Sequence, residues 1–246
     1  YFFDIFCIVR GIPDPKCAIR AGAGRRAVEG AVFMEPICYI VGACPPGEIR
    51  FAPGRPAFVI AADKGLVHLE AQGIRPDLIV GDFDSLGRVP AGDNILRHPV
   101  EKDDTDTMLA VKTALDRGMG TIVFYGCLGG RLDHTYANLQ TLTYLARRGG
   151  QGWLLGEGTV VTAVENGRLD LPAGLRGAVS VFCPDGQALG VTLRGLHYPL
   201  ENYTLTSGFP LGVSNQFTGQ AASVSVREGT LLVMWDEARE DVLKRI

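Results

Sequence analysis

The stretch AFVIAADKGLVHLEAQGIRPDLIVGDFDS, residues 57–85, decides how the chain is read. Ala57–Ala62 is almost continuously apolar and runs into Asp63. A strand buried on both faces has that look, whereas a half-exposed strand alternates. Lys64–Gln72 then carries a helical pattern, stopped by Gly73 and Pro76 as helices commonly are. Asp77–Val80 is a second apolar run, and it ends in Gly81-Asp82-Phe83-Asp84-Ser85. The segment therefore predicts strand, helix, strand, with carboxylates just beyond the end of each strand.

The same alternation extends both ways. Further strands are expected at Cys38–Ala43, Asn94–Arg97, Thr121–Tyr125 and Gly152–Leu155. Helices are expected over Asp104–Arg117, with Met108, Val111 and Leu115 on one face, and from about Asp133 to Arg148, with Leu139, Leu142 and Ala146 on one stripe. This order predicts an α/β fold, an open parallel sheet with helices on both faces. Beyond about residue 158 helical periodicity vanishes. Short β-rich pieces follow at Thr159–Val164, Ala178–Cys183, Ala188–Leu193, Tyr203–Thr206, Ala222–Val226 and Thr230–Met234, separated by turns such as Pro184-Asp185-Gly186. They predict a small antiparallel β-sandwich or barrel domain. The expected division is 34–157 for the α/β domain and 158–246 for the β domain.

Residues 1–33 look foreign to this plan. The first Met is Met34, immediately before the first strand, and the Gly/Arg/Ala-rich segment ahead of it lacks the basic start of a secretory signal. The expectation is that Met34 is the natural start and 1–33 a non-native or disordered extension. Removing its five basic and three acidic residues takes the net charge from −3 to −5. Neither value suits a nucleic-acid binder, which carries a basic excess or stripe. At 46% hydrophobic and 21% charged the chain is globular rather than disordered. No run of about 18 apolar residues occurs, so no membrane-spanning helix is expected. The six cysteines have no C-x-x-C pair and no zinc-like cluster, which predicts free thiols and a cytoplasmic protein.

The carboxylates carry the chemistry. Asp63, Asp82, Asp84 and Asp133 each follow the C-terminal end of an expected strand, the edge where open parallel sheets bind ligands. Asp103, Asp104 and Asp106 surround a helix start. Any one of them could cap a helix or make a turn. Gathered at one edge, they suit Mg²⁺, a hard cation that takes one or two carboxylates plus substrate phosphates. Gly126-Cys127-Leu128-Gly129-Gly130-Arg131 lies between a strand and a helix. Its backbone N–H groups could face a phosphate and Arg131 could add a charge, or it could be an ordinary glycine turn. No P-loop sequence, no G-x-G-x-x-G after a strand and no G-x-S-x-G elbow is present. Trp153 and Trp235 fit strand patterns as core or interface residues.

Four strings occur in the order and spacing of one family: Ala61-Ala62-Asp63-Lys64-Gly65; Pro76 to Leu86, which includes Gly81-Asp82-Phe83-Asp84-Ser85; Lys102-Asp103-Asp104-Thr105-Asp106-Thr107; and Gly129-Gly130-Arg131-Leu132-Asp133-His134-Thr135-Tyr136-Ala137-Asn138. Over roughly 38–235 the chain resembles the thiamine pyrophosphokinases, the bacterial form more than the animal form. Gly208–Phe217 is similar to that family's vitamin-binding stretch. One departure is Lys64, where the family commonly has Gly.

The resemblance implies an ATP-binding α/β domain followed by a β-sandwich that binds thiamine, in a homodimer whose active site is shared between subunits. It implies transfer of pyrophosphate from ATP to the thiamine hydroxyl, giving thiamine diphosphate and AMP. Asp82, Asp84 and Asp106 are then expected around Mg²⁺, with Asp63 and Asp133 supporting metal or nucleotide and Asp103 a second-rank ligand. Gly129, Gly130, Arg131 and Ser85 are expected on the nucleotide, and Asp106 or Asp133 as acceptor of the hydroxyl proton. Ser214 and Asn215 are the expected vitamin contacts, with Phe217 as a packing wall. Rival readings are a D-x-D glycosyltransferase, a non-catalytic thiamine or nucleotide sensor, and a pterin pyrophosphokinase.

Overall fold

Successive residues of β1 (Ile37–Val41) enter two different cores, because side chains alternate across a strand. Ile37, Tyr39 and Val41 face one hydrophobic cluster and Cys38 and Ile40 the other, all of them at most 1% exposed. The computed structural model describes residues 35–84, 90, 92–97 and 104–246. The expectations for residues 1–33 and for a start at Met34 lie outside the described residues.

The parallel layer consists of β1, β2 (Ala57–Ala62), β3 (Leu78–Gly81), β4 (Ile95–Arg97), β5 (Thr121–Tyr125) and β6 (Gln151–Leu155). Their order is β6-β5-β1-β2-β3-β4, every neighbouring pair parallel. Helix α1 (Gly65–Ala71) puts Leu66 and Leu69 into the first cluster. Helices α2 (Asp106–Asp116) and α3 (Leu132–Arg147) cover the other face. Both faces are thus buried, which is why these strands read as continuous apolar runs. The buried stripe of α2 is rotated from the expected one. Thr107, Ala110, Val111 and Ala114 point inward, while Met108 and Leu115 are only half-buried. Alanines let the helix axis approach the sheet more closely than Met and Leu would.

The sheet does not end at β6. Strand β7 (Thr159–Glu165) pairs antiparallel with it, and β14 (Thr230–Asp236), β9 (Ala178–Phe182) and β12 (Asn215–Gln216) extend the sheet to ten strands. The division drawn at 157/158 falls in the β6–β7 turn of this one sheet. A separate antiparallel sheet, in the order β11 (Leu200–Thr206), β10 (Gln187–Arg194), β13 (Ala222–Ser225), β8 (Arg168–Leu171), closes the β-sandwich. Its Leu169, Val191, Leu193 and Val224 share a core with Val179, Val181, Leu231 and Val233 of the long sheet. Trp153 and Trp235 meet edge to face in that core, with ring centroids 6.2 Å apart. A last helix, α4 (Arg239–Leu243), corrects the reading that helices end near 158; five residues are too few to show a period.

Candidate active site

The chain leaves β1 toward β2 on one side and later places β5 on the other side of β1. This is the switch point of the parallel layer, where diverging loops leave a crevice at the strand ends. Cys44 N–H donates to Gly126 O at 3.0 Å and Gly42 N–H to Tyr125 O at 2.8 Å, so the two loops run side by side. Gly126 is required there. It has φ 64°, and a Cβ would lie 2.4 Å from Cys44 O.

A cleft of about 160 Å³ opens at this point, lined among others by Cys44, Asp63, Asp106, Gly129, His134 and Asn138. Asp63 follows β2 in a left-handed conformation, φ 48°. Asp106 is the first residue of α2, just after Thr105, whose hydroxyl caps the helix by accepting from Met108 N–H at 3.1 Å. Asp82 and Asp84 follow β3. Alternation would send them to opposite faces, but Phe83 between them has φ 66°, and Asp84 N–H donates to Asp82 Oδ1 at 3.2 Å. Phe83 is 3% exposed, and its burial holds this strained turn in place.

The turn brings Asp82, Asp84 and Asp63 together, with one carboxylate oxygen of each within 4.8 Å of the others. Two oxygens on one Mg²⁺, each about 2.1 Å from it, are at most about 4.2 Å apart, so a small adjustment lets the three share an ion. The donors are all hard oxygens, which suits Mg²⁺ rather than a thiophilic metal. Sequence reasoning grouped Asp106 with Asp82 and Asp84. In the structure Asp63 completes that trio, and Asp63 also lines the cleft that holds Asp106.

The glycine loop is tied internally. Gly129 N–H donates to Thr135 Oγ1 at 3.1 Å, Thr135 Oγ1 donates to Gly129 O at 3.1 Å, and Cys44 Sγ donates to the same carbonyl at 3.2 Å. Gly129 and Gly130 both have positive φ, 88° and 64°. Arg131 and Asp133 form an exposed ion pair at 2.5 Å, and the guanidinium holds the Asp133 carboxyl below the usual carboxylate range. Asp104 is engaged by Lys112 at 2.6 Å. Ser85 and Asp103 lie outside the described residues.

The stretch expected to meet the vitamin splits into unlike parts. Ser214 is exposed with φ 56°, and its N–H donates to Ser180 Oγ at 3.1 Å. Asn215 is 4% exposed and Phe217 7%, the latter packed in the sandwich core. Phe209, Leu211 and Val213 stand exposed just before them. Sequence reasoning gave no role to Cys44 and quoted Asn138 only within a family string, yet both line the cleft. The switch-point rule, applied to the loop after β1, would have found Cys44. Asn138 is fixed by a 2.8 Å bond from Nδ2 to Cys127 O.

Fold and site define a class: an α/β protein with a carboxylate-rich site at the carboxyl edge of its parallel strands, joined through one sheet to a β-sandwich. Residues 55–152 match the family model described as "Thiamin pyrophosphokinase, catalytic domain", and 169–231 the one described as "Thiamin pyrophosphokinase, vitamin B1 binding domain". The chain is 30% identical to the thiamine pyrophosphokinase of Bacillus subtilis over 182 residues, 71% of this chain and 85% of the relative. It is 27% identical to a thiamin pyrophosphokinase of Caenorhabditis elegans, over 69% of this chain and 73% of that one. A crystal structure of the Bacillus subtilis enzyme superposes with a TM-score of 0.71 at 27% identity, covering 81% of this chain and 98% of the other. The chain belongs to the thiamine pyrophosphokinase family.

Proposed function

We propose that the protein transfers a pyrophosphoryl group from ATP to the hydroxyl of thiamine, giving thiamine diphosphate and AMP. The observation that carries this reading is the carboxylate trio Asp63, Asp82 and Asp84 beside the glycine loop at the switch point. Such a transfer asks little covalent chemistry of a protein, so positioning and charge neutralisation supply most of the rate. Asp63, Asp82 and Asp84 would hold Mg²⁺, with Asp106 lining the same cleft as Asp63; the ion would supply neutralisation of phosphate charge. Arg131 releases Asp133 to meet phosphate, and the Gly129-Gly130 backbone packs against it. Asp106 is the better placed acceptor of the hydroxyl proton, because it faces the cleft while Asp133 is paired outside it.

The working unit in this reading is a homodimer with shared sites. Within one chain β12, which follows Ser214, and β3, which precedes Asp82, are the first and ninth strands of the sheet. At ~4.8 Å per strand they stand on the order of 35 Å apart. A vitamin held by residues 158–246 of one subunit meets a nucleotide held by residues 34–157 of the other. The four free cysteines among the described residues fit a reducing, cytoplasmic setting. Among the described residues no helix is long and apolar enough to cross a membrane.

The test is AMP release from ATP and Mg²⁺ with thiamine, with a hydroxymethyl pterin, and without an acceptor. AMP formed with thiamine alone supports the reading. Release with the pterin instead, sugar-dependent release of a nucleoside diphosphate, or binding without turnover each overturns it.

A further inference from the structure

Helix α4 is short, but its first residue reaches far. Arg239 Nε donates to Gly156 O at 2.7 Å, in the turn between β6 and β7. Its Nη1 donates to Pro46 O at 2.5 Å and to Glu48 O at 3.2 Å, in the connection after β1. The guanidinium carbon lies 5.5 Å from the ring centroid of Tyr125, the last residue of β5. One side chain thus joins the C-terminal ends of three adjacent strands, β1, β5 and β6. A planar fork of five donors suits that task, and a lysine ammonium does not. The base of the helix is fixed separately. Val242 and Leu243 are buried, and Glu240 pairs with Arg50 at 2.9 Å.

Arg239 also lines a cavity of about 610 Å³ with Cys44, Gly126, Gly129, Gly130 and Gly156. Cys44, Gly126 and Gly129 also line the cleft that holds Asp63 and Asp106. The loops that Arg239 holds are therefore the walls of the crevice that continues into the acidic site. Gly47 shows how closely the loop is drawn in, since a Cβ there would lie 2.9 Å from Arg239 Nη1. Neither Arg239 nor residues 44–50 fall within the two family-model matches, 55–152 and 169–231.

We propose that Arg239 is a positioning residue for the nucleotide: by bolting the loop after β1 to the β6–β7 turn it fixes the walls of the nucleotide crevice. The inference rests on the functional reading above. The loops it ties flank the glycine loop and stand three or more strands along the sheet from β12, which follows Ser214. Its loss therefore weakens nucleotide binding and leaves the chemical step and the vitamin affinity alone.

The experiment compares Arg239→Ala, Arg239→Lys and Glu240→Gln in full-length protein. Four quantities are measured: KM for ATP, KM for thiamine, kcat, and the Kd of a non-hydrolysable ATP analogue with Mg²⁺ by calorimetry. Arg239→Ala should raise the KM for ATP and the analogue Kd about tenfold, with kcat and the KM for thiamine within about twofold. Arg239→Lys, which restores charge and one donor group, should recover part of the loss. It carries the test if the alanine variant does not fold. Glu240→Gln removes only the exposed pair with Arg50 and leaves the bonds of Arg239 to Pro46 and Gly156 in place, so it should leave the ATP values unchanged. A parallel fall in kcat and both affinities, or nucleotide values unchanged in both Arg239 variants, overturns the proposal. Should the wild type release no AMP with thiamine, the functional reading fails, and the analogue Kd still decides the role of Arg239.

Discussion

Asn215 and Tyr198 clasp each other in both directions. The Asn215 side chain accepts from Tyr198 N–H at 3.0 Å through Oδ1 and donates to Tyr198 O at 2.7 Å through Nδ2. Its Oδ1 also accepts from Gln216 N–H at 2.8 Å. A side chain so occupied, and 4% exposed, shapes the loop that presents Ser214 before it touches any ligand. Asn215→Ala strips both backbone groups of Tyr198 of their partner. Equilibrium unfolding in urea should show a loss of about 2 kcal/mol, the scale of stranded polar groups that are partly open to water. Unchanged stability would mean that the clasp is incidental.

Asp82→Asn should cut turnover by about 10²–10³-fold at limiting Mg²⁺ while the fold survives. The amide oxygen can still accept from Asp84 N–H, so the turn at Phe83 is kept and only the charge is lost. Diphosphate formation is measured across a Mg²⁺ series beside thermal unfolding without metal. Normal turnover at low Mg²⁺, or a collapsed melting temperature, contradicts this role.

Mixing Asp82→Asn subunits with Ser214→Trp subunits should restore activity if sites are shared. Each hybrid dimer then has one site with both residues intact. Random exchange should return roughly a quarter of wild-type activity. Inactive mixtures, with subunit exchange demonstrated by mass, would place Asp82 and Ser214 of one chain in the same site and contradict sharing.

Alkaline pH should destabilise the protein through two buried thiols and a phenol. Burial pushes Cys38 and Cys127 from an ordinary 9.0 up to about 12, and Tyr125 from 10.0 up to about 12. Folding holds these protons more tightly than the unfolded chain does. Their stabilisation is complete below the unfolded values and is lost as pH rises from about 9 toward 12, at roughly 1.4 kcal/mol per pH unit for each titrating group. Urea unfolding at successive pH values measures the slope, and Cys127→Ala should make it shallower.

The strands of the parallel layer were legible because burial on both faces writes itself into Phe58–Ala62 and Leu78–Val80. Helix ends were legible from Gly73 and Gly118. The acidic edge was legible too, since a residue just past an apolar run must lie at a strand end. Three features were not. The two-residue β12 and the five-residue α4 are shorter than the periods that reveal them. The buried stripe of α2 depends on how closely alanines approach the sheet, which apolar spacing does not encode. The partner of Asp82 and Asp84 depends on the left-handed turns at Asp63 and Phe83, and neither residue type announces such a backbone.

One backbone ladder runs from β4 to β12 without a break. Neither half is therefore a cassette that recombination could hand to another gene unaltered. Excising the chain after Leu155 would strip β6 of its pairing from Trp153 to Leu155 and bare an apolar edge. The complementary fragment would begin with β7 equally exposed. The seam between β6 and β7 thus belongs to both halves, and the segments matching the catalytic and vitamin-binding family models stand or fall as one folding unit.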